Sequence, residues 1–274
     1  MKNFLAQHAR QPKVFIDLPS KGIFYNGLTI QDNQHTQIPV FGMNTMDEIM
    51  LKTPDALFTG ESTVKVIKSC APTILNPWNL LSVDIEQVLI AIRMATYGDK
   101  MSMESECPEC KNSYTFDIDL NNMLSNFSEL EVITKIQYKD LHLILRPLTY
   151  QESTNVSKRN YAIQKNIATA ENNEEVLANL YKDLNSLTLD INLMHIVEIT
   201  DGEEAENDHA VIKEFIHSAD SELYDIVKNG LSNLTKKWAL PLLPLQCANQ
   251  ECRHSYSSKL DLDYSSFFER GSSH

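Results

Sequence analysis

The sequence predicts an α+β fold: a small β/helical N-terminal part, a four-cysteine ribbon split in two, and a helical lobe inserted between its halves. Three observations carry this. Short apolar runs alternate with turn residues up to about residue 43. Two cysteine pairs, Cys107/Cys110 and Cys247/Cys252, sit in matching surroundings. Between them, from Thr149 to about Leu240, apolar residues recur at helical spacing. A length of 274 residues allows one large domain or two small ones.

Val14-Phe15-Ile16-Asp17-Leu18 reads as a strand ended by Pro19 and Gly22, and Tyr25-Asn26-Gly27 as a turn into Leu28-Thr29-Ile30. A polar stretch, 31–37, leads to a strand at Ile38-Pro39-Val40. Helical signals begin at Asn44. Thr45-Met46-Asp47-Glu48 fits a capping box before Ile49, Met50 and Leu51, and Thr53-Pro54-Asp55 restarts a helix with Pro54 in its first turn. A further helix runs from near Thr63 to about Cys70. Another spans roughly Asp84 to Tyr97, with Asp84 and Gln87 capping it, Gly98 ending it, and a broad apolar face that places it in the core.

Met101 to Leu120 is β-type around the first cysteine pair. Val132–Tyr138 and Leu141–Leu145 read as a hairpin about Lys139-Asp140. Beyond Arg146-Pro147 the chain reads as helical almost throughout. Thr149-Tyr150-Gln151-Glu152 and Asn172-Asn173-Glu174-Glu175 are cap patterns, and Val176, Leu177, Leu180, Tyr181, Leu184 and Leu187 continue the second helix. The apolar run Leu189–Thr200, an exposed acidic loop to Asp208, and helices near Ala210–His217 and Ser221–Leu234 follow. β-type sequence returns around Cys247–Leu262.

The expected organisation is a β-rich segment over 1–43, a helical core over 44–100, and a first ribbon half with its hairpin over 101–146. An inserted helical lobe over 147–240 and a second ribbon half over 241–270 complete it. Gly271-Ser272-Ser273-His274 reads as a tag remnant.

Cys107-Pro108-Glu109-Cys110 presents two thiolates on one tight turn, half of what a tetrahedral zinc ion needs; Cys247-Ala248-Asn249-Gln250-Glu251-Cys252 supplies a second pair. The two neighbourhoods align. Cys110-Lys111-Asn112-Ser113-Tyr114 matches Cys252-Arg253-His254-Ser255-Tyr256, and Ile118-Asp119-Leu120 falls opposite Leu260-Asp261-Leu262 without a gap. A knuckle-plus-strand unit thus occurs twice, as in a zinc ribbon whose hairpins share one metal. Four thiolates fill the coordination shell, which favours a structural zinc over a catalytic one. His254 is a weaker ligand candidate because Asn112 takes the matching place, and Cys70, outside the repeat, reads as a core residue.

The rest of the sequence points away from catalysis. It carries no Walker motif, no G-x-G-x-x-G, no G-x-S-x-G and no H-E-x-x-H. Its eight glycines leave little material for phosphate-cradling loops. His195, in an apolar run, reads as a satisfied core residue, and Glu203-Glu204 and Glu206-Asn207-Asp208 as a solvated loop. A formal net charge of −13 repels nucleic acid. The short basic stretches (Lys65 to Lys68, Lys158-Arg159, Lys236-Lys237) read as solvated helix faces. No run approaches the roughly 20 apolar residues that span a bilayer, and Met1–His8 lacks a secretory apolar region. The expectation is a cytoplasmic protein without stable membrane insertion.

An ordered set of segments resembles the baseplate hub and hub-assembly proteins of T4-like contractile-tailed bacteriophages. It comprises Leu18-Pro19-Ser20-Lys21-Gly22 with Tyr25 and Gly27, then Thr45-Met46-Asp47-Glu48, Thr53-Pro54-Asp55-Ala56-Leu57 and Asn76-Pro77-Trp78. Ile90-Ala91-Ile92-Arg93-Met94-Ala95-Thr96-Tyr97-Gly98 and Cys107-Pro108-Glu109-Cys110 follow. The likeness is densest over 14–120 and returns at the last cysteine pair. It implies a non-enzymatic protein that binds other phage hub proteins, as a hub subunit or an assembly chaperone, in the host cytoplasm or the virion tail baseplate. The rivals are a zinc-ribbon nucleic-acid-binding regulator and a tail-associated cell-wall hydrolase. Helices such as Tyr150–Ile163 are candidate contacts.

Overall fold

Apolar residues two apart in each N-terminal run need a shared covered face, and in the computed structural model the two runs pair. The structure describes residues 9–31, 34, 36–52, 59–127, 131–170, 173–240, 242–260 and 267–268. In chain order its elements are β1 (Pro12–Ile16), β2 (Ile38–Phe41), α1 (Thr45–Leu51), α2 (Glu61–Cys70), α3 (Ser82–Tyr97), β3 (Lys100–Glu106), β4 (Ser113–Asp119) and α4 (Leu120–Phe127). There follow β5 (Thr134–Tyr138), β6 (Leu141–Leu145), α5 (Tyr150–Thr169), α6 (Glu174–Met194), β7 (Ile196–Thr200) and β8 (Ala205–Glu206). The last are α7 (His209–Ser218), α8 (Ser221–Trp238), β9 (Leu243–Gln246) and β10 (Ser255–Ser258). The architecture is mixed α+β in two compact units: residues 1–77, 84–130 and 240–274, and residues 78–83 and 131–239. The expected helix start at Thr53-Pro54-Asp55, the N-terminal Met1–His8 and the terminal 271–274 lie outside the described residues.

In the first unit α3 is the central element, with Val88, Leu89, Ile90, Ala91, Ile92 and Ala95 all buried. Gly42 passes so close to it that a Cβ would lie 2.7 Å from the Ala95 carbonyl oxygen, backbone that cannot yield. Helix α1 starts one residue earlier than the capping box read from Thr45 and Glu48. Asn44 is the cap, accepting from Met46 N (2.8 Å) and Asp47 N (3.0 Å), while Asp47 Oδ2 accepts from Asn44 N at 2.9 Å. Asp47 wins because its buried carboxylate also accepts from Ser69 Oγ at 2.9 Å and pairs with Arg10 at 3.4 Å. Arg10 extends the clamp to Ser69 O (2.6 Å) and Gly42 O (2.7 Å).

Helix α3 begins at Ser82, so Asp84 is not its cap but lies in its first turn and points inward. It is fully buried, accepting from Ser20 N at 3.0 Å and from the Tyr25 hydroxyl. That carboxylate anchors the turn Leu18–Gly22, in which Lys21 and Gly22 are left-handed (φ 51° and 70°) and Lys21 N bonds Leu18 O at 2.9 Å. Leu28-Thr29-Ile30 forms no strand; Ile30 makes an isolated bridge to Ile74.

The second unit is built on an antiparallel sheet of order β5-β6-β7-β8. Two sequence expectations change here. The hairpin grouped with the first cysteine pair belongs to this sheet, β6 pairing with β7. The run read as helical to Thr200 leaves the helix at Met194, because β-branched Ile196-Val197-Glu198-Ile199-Thr200 completes the sheet. His195 caps α6. It is buried, and its Nδ1 lies 2.7 Å from Arg146 O; a carbonyl only accepts, so Nδ1 carries the proton. Burial holds that imidazole below its ordinary value, the neutral state of a structural group.

Helix α8 buries Leu223, Val227, Leu231, Leu234 and Trp238 at helical spacing. Its Gly230 meets β5, where a Cβ would lie 2.1 Å from Ile136 Cδ1. Thr149 caps α5 in the expected box with Glu152, whose carboxylate takes both Arg146 Nη atoms at 2.8 and 2.9 Å. Helices α5 and α6 bury little: Ile163 in the first, Leu187 and Leu193 in the second, among the described residues. Val176 and Tyr181, expected to continue an apolar face, are exposed.

Burial pushes the Asp84 carboxyl up to about 6 from an ordinary 3.8, against the hydrogen bonds from Ser20 and Tyr25. Burial likewise raises Glu86, with its unpartnered Oε2, to about 7. The folded state thus holds the Asp84 proton more tightly than the unfolded chain. Its contribution to stability is full below about 4 and lost as pH rises through about 6. Urea unfolding of Asp84→Asn at pH 5 and 7.5 is expected to show a smaller fall across that interval than the parent. Asp84→Ala, which removes the acceptor of the buried Ser20 N, is expected to cost about 2 kcal/mol.

Candidate metal centre

The two cysteine pairs sit at the turns of two hairpins with equivalent frames. β3 and β4 close on Glu106 opposite Ser113, and β9 and β10 on Gln246 opposite Ser255, so each hairpin's last pair stands just outside its knuckle. In the first, Cys107 N donates to Asn112 O at 2.9 Å; in the second, Cys247 N donates to His254 O at 2.9 Å. The residue after each second cysteine is left-handed, Lys111 at φ 59° and Arg253 at φ 48°. The longer second loop absorbs its extra residues at Asn249. Its carbonyl accepts from Cys252 N (3.1 Å) and Arg253 N (2.9 Å), while its side chain accepts from Glu251 N at 3.0 Å. The aligned residues beyond the knuckles, Ile118 and Leu260, are both buried.

This geometry brings Cys107, Cys110, Cys247 and Cys252 together, with all four Sγ atoms within 4.8 Å of one another. Cys107 Sγ lies 3.9 Å from Cys252 Sγ, and Cys110 Sγ 3.6 Å from Cys247 Sγ. A disulfide needs about 2.05 Å. A tetrahedron with metal–sulfur bonds of about 2.3 Å has sulfur–sulfur edges of about 3.8 Å. The spacing fits four thiolates around one cation, and these four cysteines could hold a metal ion. Cys107 and Cys247 are buried, Cys110 and Cys252 half-buried.

The thiols do not share their protons evenly. Burial raises Cys107, but the amides of Cys110 and Glu109, with the Cys247 and Cys110 side chains, bring it down to about 7. Burial pushes Cys247 to about 12, offset in part by the Asn249 amide. Cys252 is drawn down by the His254 amide, yet burial with Cys110 and Cys107 leaves it raised. Removing the remaining protons is the work a bound cation would do. Lys111 and Arg253 stand at equivalent exposed positions, and the Lys111 ammonium pairs with Glu106 at 4.0 Å.

His254 stands outside the cluster. It is exposed and its ring stacks 6.4 Å from Tyr256. Cys70 lies buried on α2, its thiol pushed to about 12 by burial and then by Asp47. The supporting Asn249 turn and the left-handed Lys111 and Arg253 were not read from the sequence. The basic residue after each second cysteine was their only visible trace.

A family model described as T4 bacteriophage base plate protein matches residues 43–269. This chain belongs to that family. No curated protein and no solved structure matches it. The match runs from α1 past β10, so it contains both knuckles of this base plate protein and the whole second unit. The turn Leu18–Gly22 precedes it. No described helix is long and apolar enough to cross a membrane.

Cobalt(II) titrated into the reduced base plate protein is expected to saturate near one equivalent, with the absorption of a tetrahedral thiolate complex. Cys107→Ser and Cys252→Ser, one from each knuckle, are each expected to weaken binding by about tenfold or more. Equal binding by either variant would exclude a shared site.

Proposed function

We propose that this base plate protein works at the central hub of the phage tail baseplate without catalysis, binding other hub proteins as a structural subunit or as an assembly chaperone. The observation that carries the reading is the family match, which extends through both knuckles and the chain between them. The hub assignment rests on the ordered segments from Leu18 to Cys110, whose likeness is to hub and hub-assembly proteins. His195, neutral and bonded to a backbone carbonyl, and Cys70, buried with a raised thiol, are occupied in ways that suit structure.

The cofactor we assign is one structural zinc ion held by Cys107, Cys110, Cys247 and Cys252, making the two hairpins a split zinc ribbon. The donor set supports zinc: four thiolates in tetrahedral spacing suit a soft-accepting d¹⁰ ion with no further ligand position to fill. Bound there, zinc would supply cross-linking alone. The chain's own part is to aim the Cys110, Glu109, Asn249 and His254 amides at the sulfurs.

Quantitative mass spectrometry of finished particles beside baseplate intermediates from infected cells tests the hub reading. A fixed copy number in particles is expected for a subunit; presence in intermediates alone is expected for a chaperone. Association with neither would overturn the proposal. Elemental analysis of protein purified without chelator is expected to give zinc near one per chain.

A further inference from the structure

The second unit carries an open apolar cavity of about 340 Å³ on the face of its sheet, between β7–β8 and α7. Ile199 and Ile212 form its buried floor. Val211 and Phe215, one turn apart on the same face of α7, line it and remain 47 % and 36 % exposed, an apolar surface left open at the cavity. Asp201, Glu204 and Glu206 line its other side.

The rim is electrostatically one-sided. From Asp201 to Asp208 the chain reads DGEEAEND, with five carboxylates and no Lys or Arg. Among the described residues, none of these carboxylates is ion-paired. The nearest cation on α7, Lys213, is committed to Asp190 at 2.9 Å, and Lys139 at the β5–β6 turn to Asp220 at 3.3 Å. The rim is also held in shape. Asp201 Oδ1 accepts from Glu203 N (2.9 Å) and Glu204 N (2.8 Å), Thr200 Oγ1 donates to Glu204 O at 2.6 Å, and Glu206 Oε1 accepts from Asp208 N at 2.7 Å. The amides of Glu204 and Glu203 hold the Asp201 carboxyl below its ordinary value, so it is charged throughout the physiological range.

We infer that this groove is a docking site for a basic segment of a partner protein, one that seats a large apolar side chain against Ile199, Ile212 and Phe215 and sets Lys or Arg against Asp201, Glu204 and Glu206. Charge complementarity selects this occupant. A second copy of a chain with net charge −13 would bring like charge to the rim, and an uncharged apolar ligand would leave the carboxylates unanswered. The apolar seat supplies the anchor, and the acidic rim supplies orientation and rate of encounter. This deepens the assembly reading above by giving the partner a chemistry.

The test places a photocrosslinking residue at His209, exposed beside the groove, in the full-length protein in phage-infected cells. The crosslinked peptide, sequenced by mass spectrometry, is expected to carry Lys or Arg beside a large apolar residue. Its yield is expected to fall about fivefold or more in Glu204→Lys and in Phe215→Ala, with the thermal midpoint of the charge variant unchanged. Lys→Glu changes in the captured segment are expected to restore the yield with the charge variant. Crosslinking to a second copy of this chain, to a peptide without basic residues, or to nothing would overturn the inference, as would yields that ignore the substitutions. Incorporation into baseplates is scored separately, so the groove and the hub assignment fail independently.

Discussion

Four sulfur atoms lie within 4.8 Å of one another although the paired cysteines stand 145 and 137 residues apart in the chain. Everything between the knuckles is constrained by that proximity. A flexible loop of this length costs about 4 kcal/mol to close. The second unit removes much of that cost by bringing the ends of its 131–239 segment together: Trp238 Nε1 donates to Glu131 O at 3.1 Å, joining that segment's last helix to its first residue. The insert therefore leaves and returns at neighbouring points before any metal acts. A zinc ion, as proposed, contributes more than the remainder, since structural zinc sites bind with about 10–16 kcal/mol.

The N-terminal part is held by a different device, buried polar groups that each tie several segments. Asp47 gathers the Asn44 cap, Ser69 and Arg10. Asp84 gathers the Ser20 amide and the Tyr25 hydroxyl. Such groups cost desolvation, visible in the raised Asp84 carboxyl. In return they accept one arrangement of the turn and no other, since an unpaired donor or carboxylate in that position is more costly still. An apolar contact at Asp84 would tolerate several positions of the Leu18–Gly22 turn; two directed hydrogen bonds do not.

Local chemistry made much of this readable from the sequence alone. The Thr149–Glu152 box, the hairpin at Lys139, the start of the last helix and the matched cysteine surroundings all depend on neighbours within a few residues. What escaped was decided at a distance. Ile196–Thr200 is a strand because β6 offers it an edge some fifty residues earlier in the chain, and its period alone does not separate strand from helix. The capping residue moved from Thr45 to Asn44 because Asp47 answers to Arg10 and Ser69, which local spacing does not contain. The Asn249 turn is the same lesson at the metal centre. The two loops differ in length, and only the backbone bonds show how they reach equivalent ends.

That equivalence reaches the sulfurs themselves. Aligning the knuckles sets Cys107 against Cys247 and Cys110 against Cys252. Exchanging the halves turns the Cys107–Cys252 contact into the Cys247–Cys110 contact, and these are the two short cross-knuckle approaches in the cluster, 3.9 and 3.6 Å. The halves therefore contribute alike, as a two-fold arrangement requires, and neither can build the site alone. During synthesis the first knuckle emerges with two of the four thiols. At about 5–20 residues per second it waits roughly ten seconds or more for the second. The chain between the knuckles, which also bonds the earlier Leu80 and Ser82 through Tyr150 and Leu148, has that interval in which to fold.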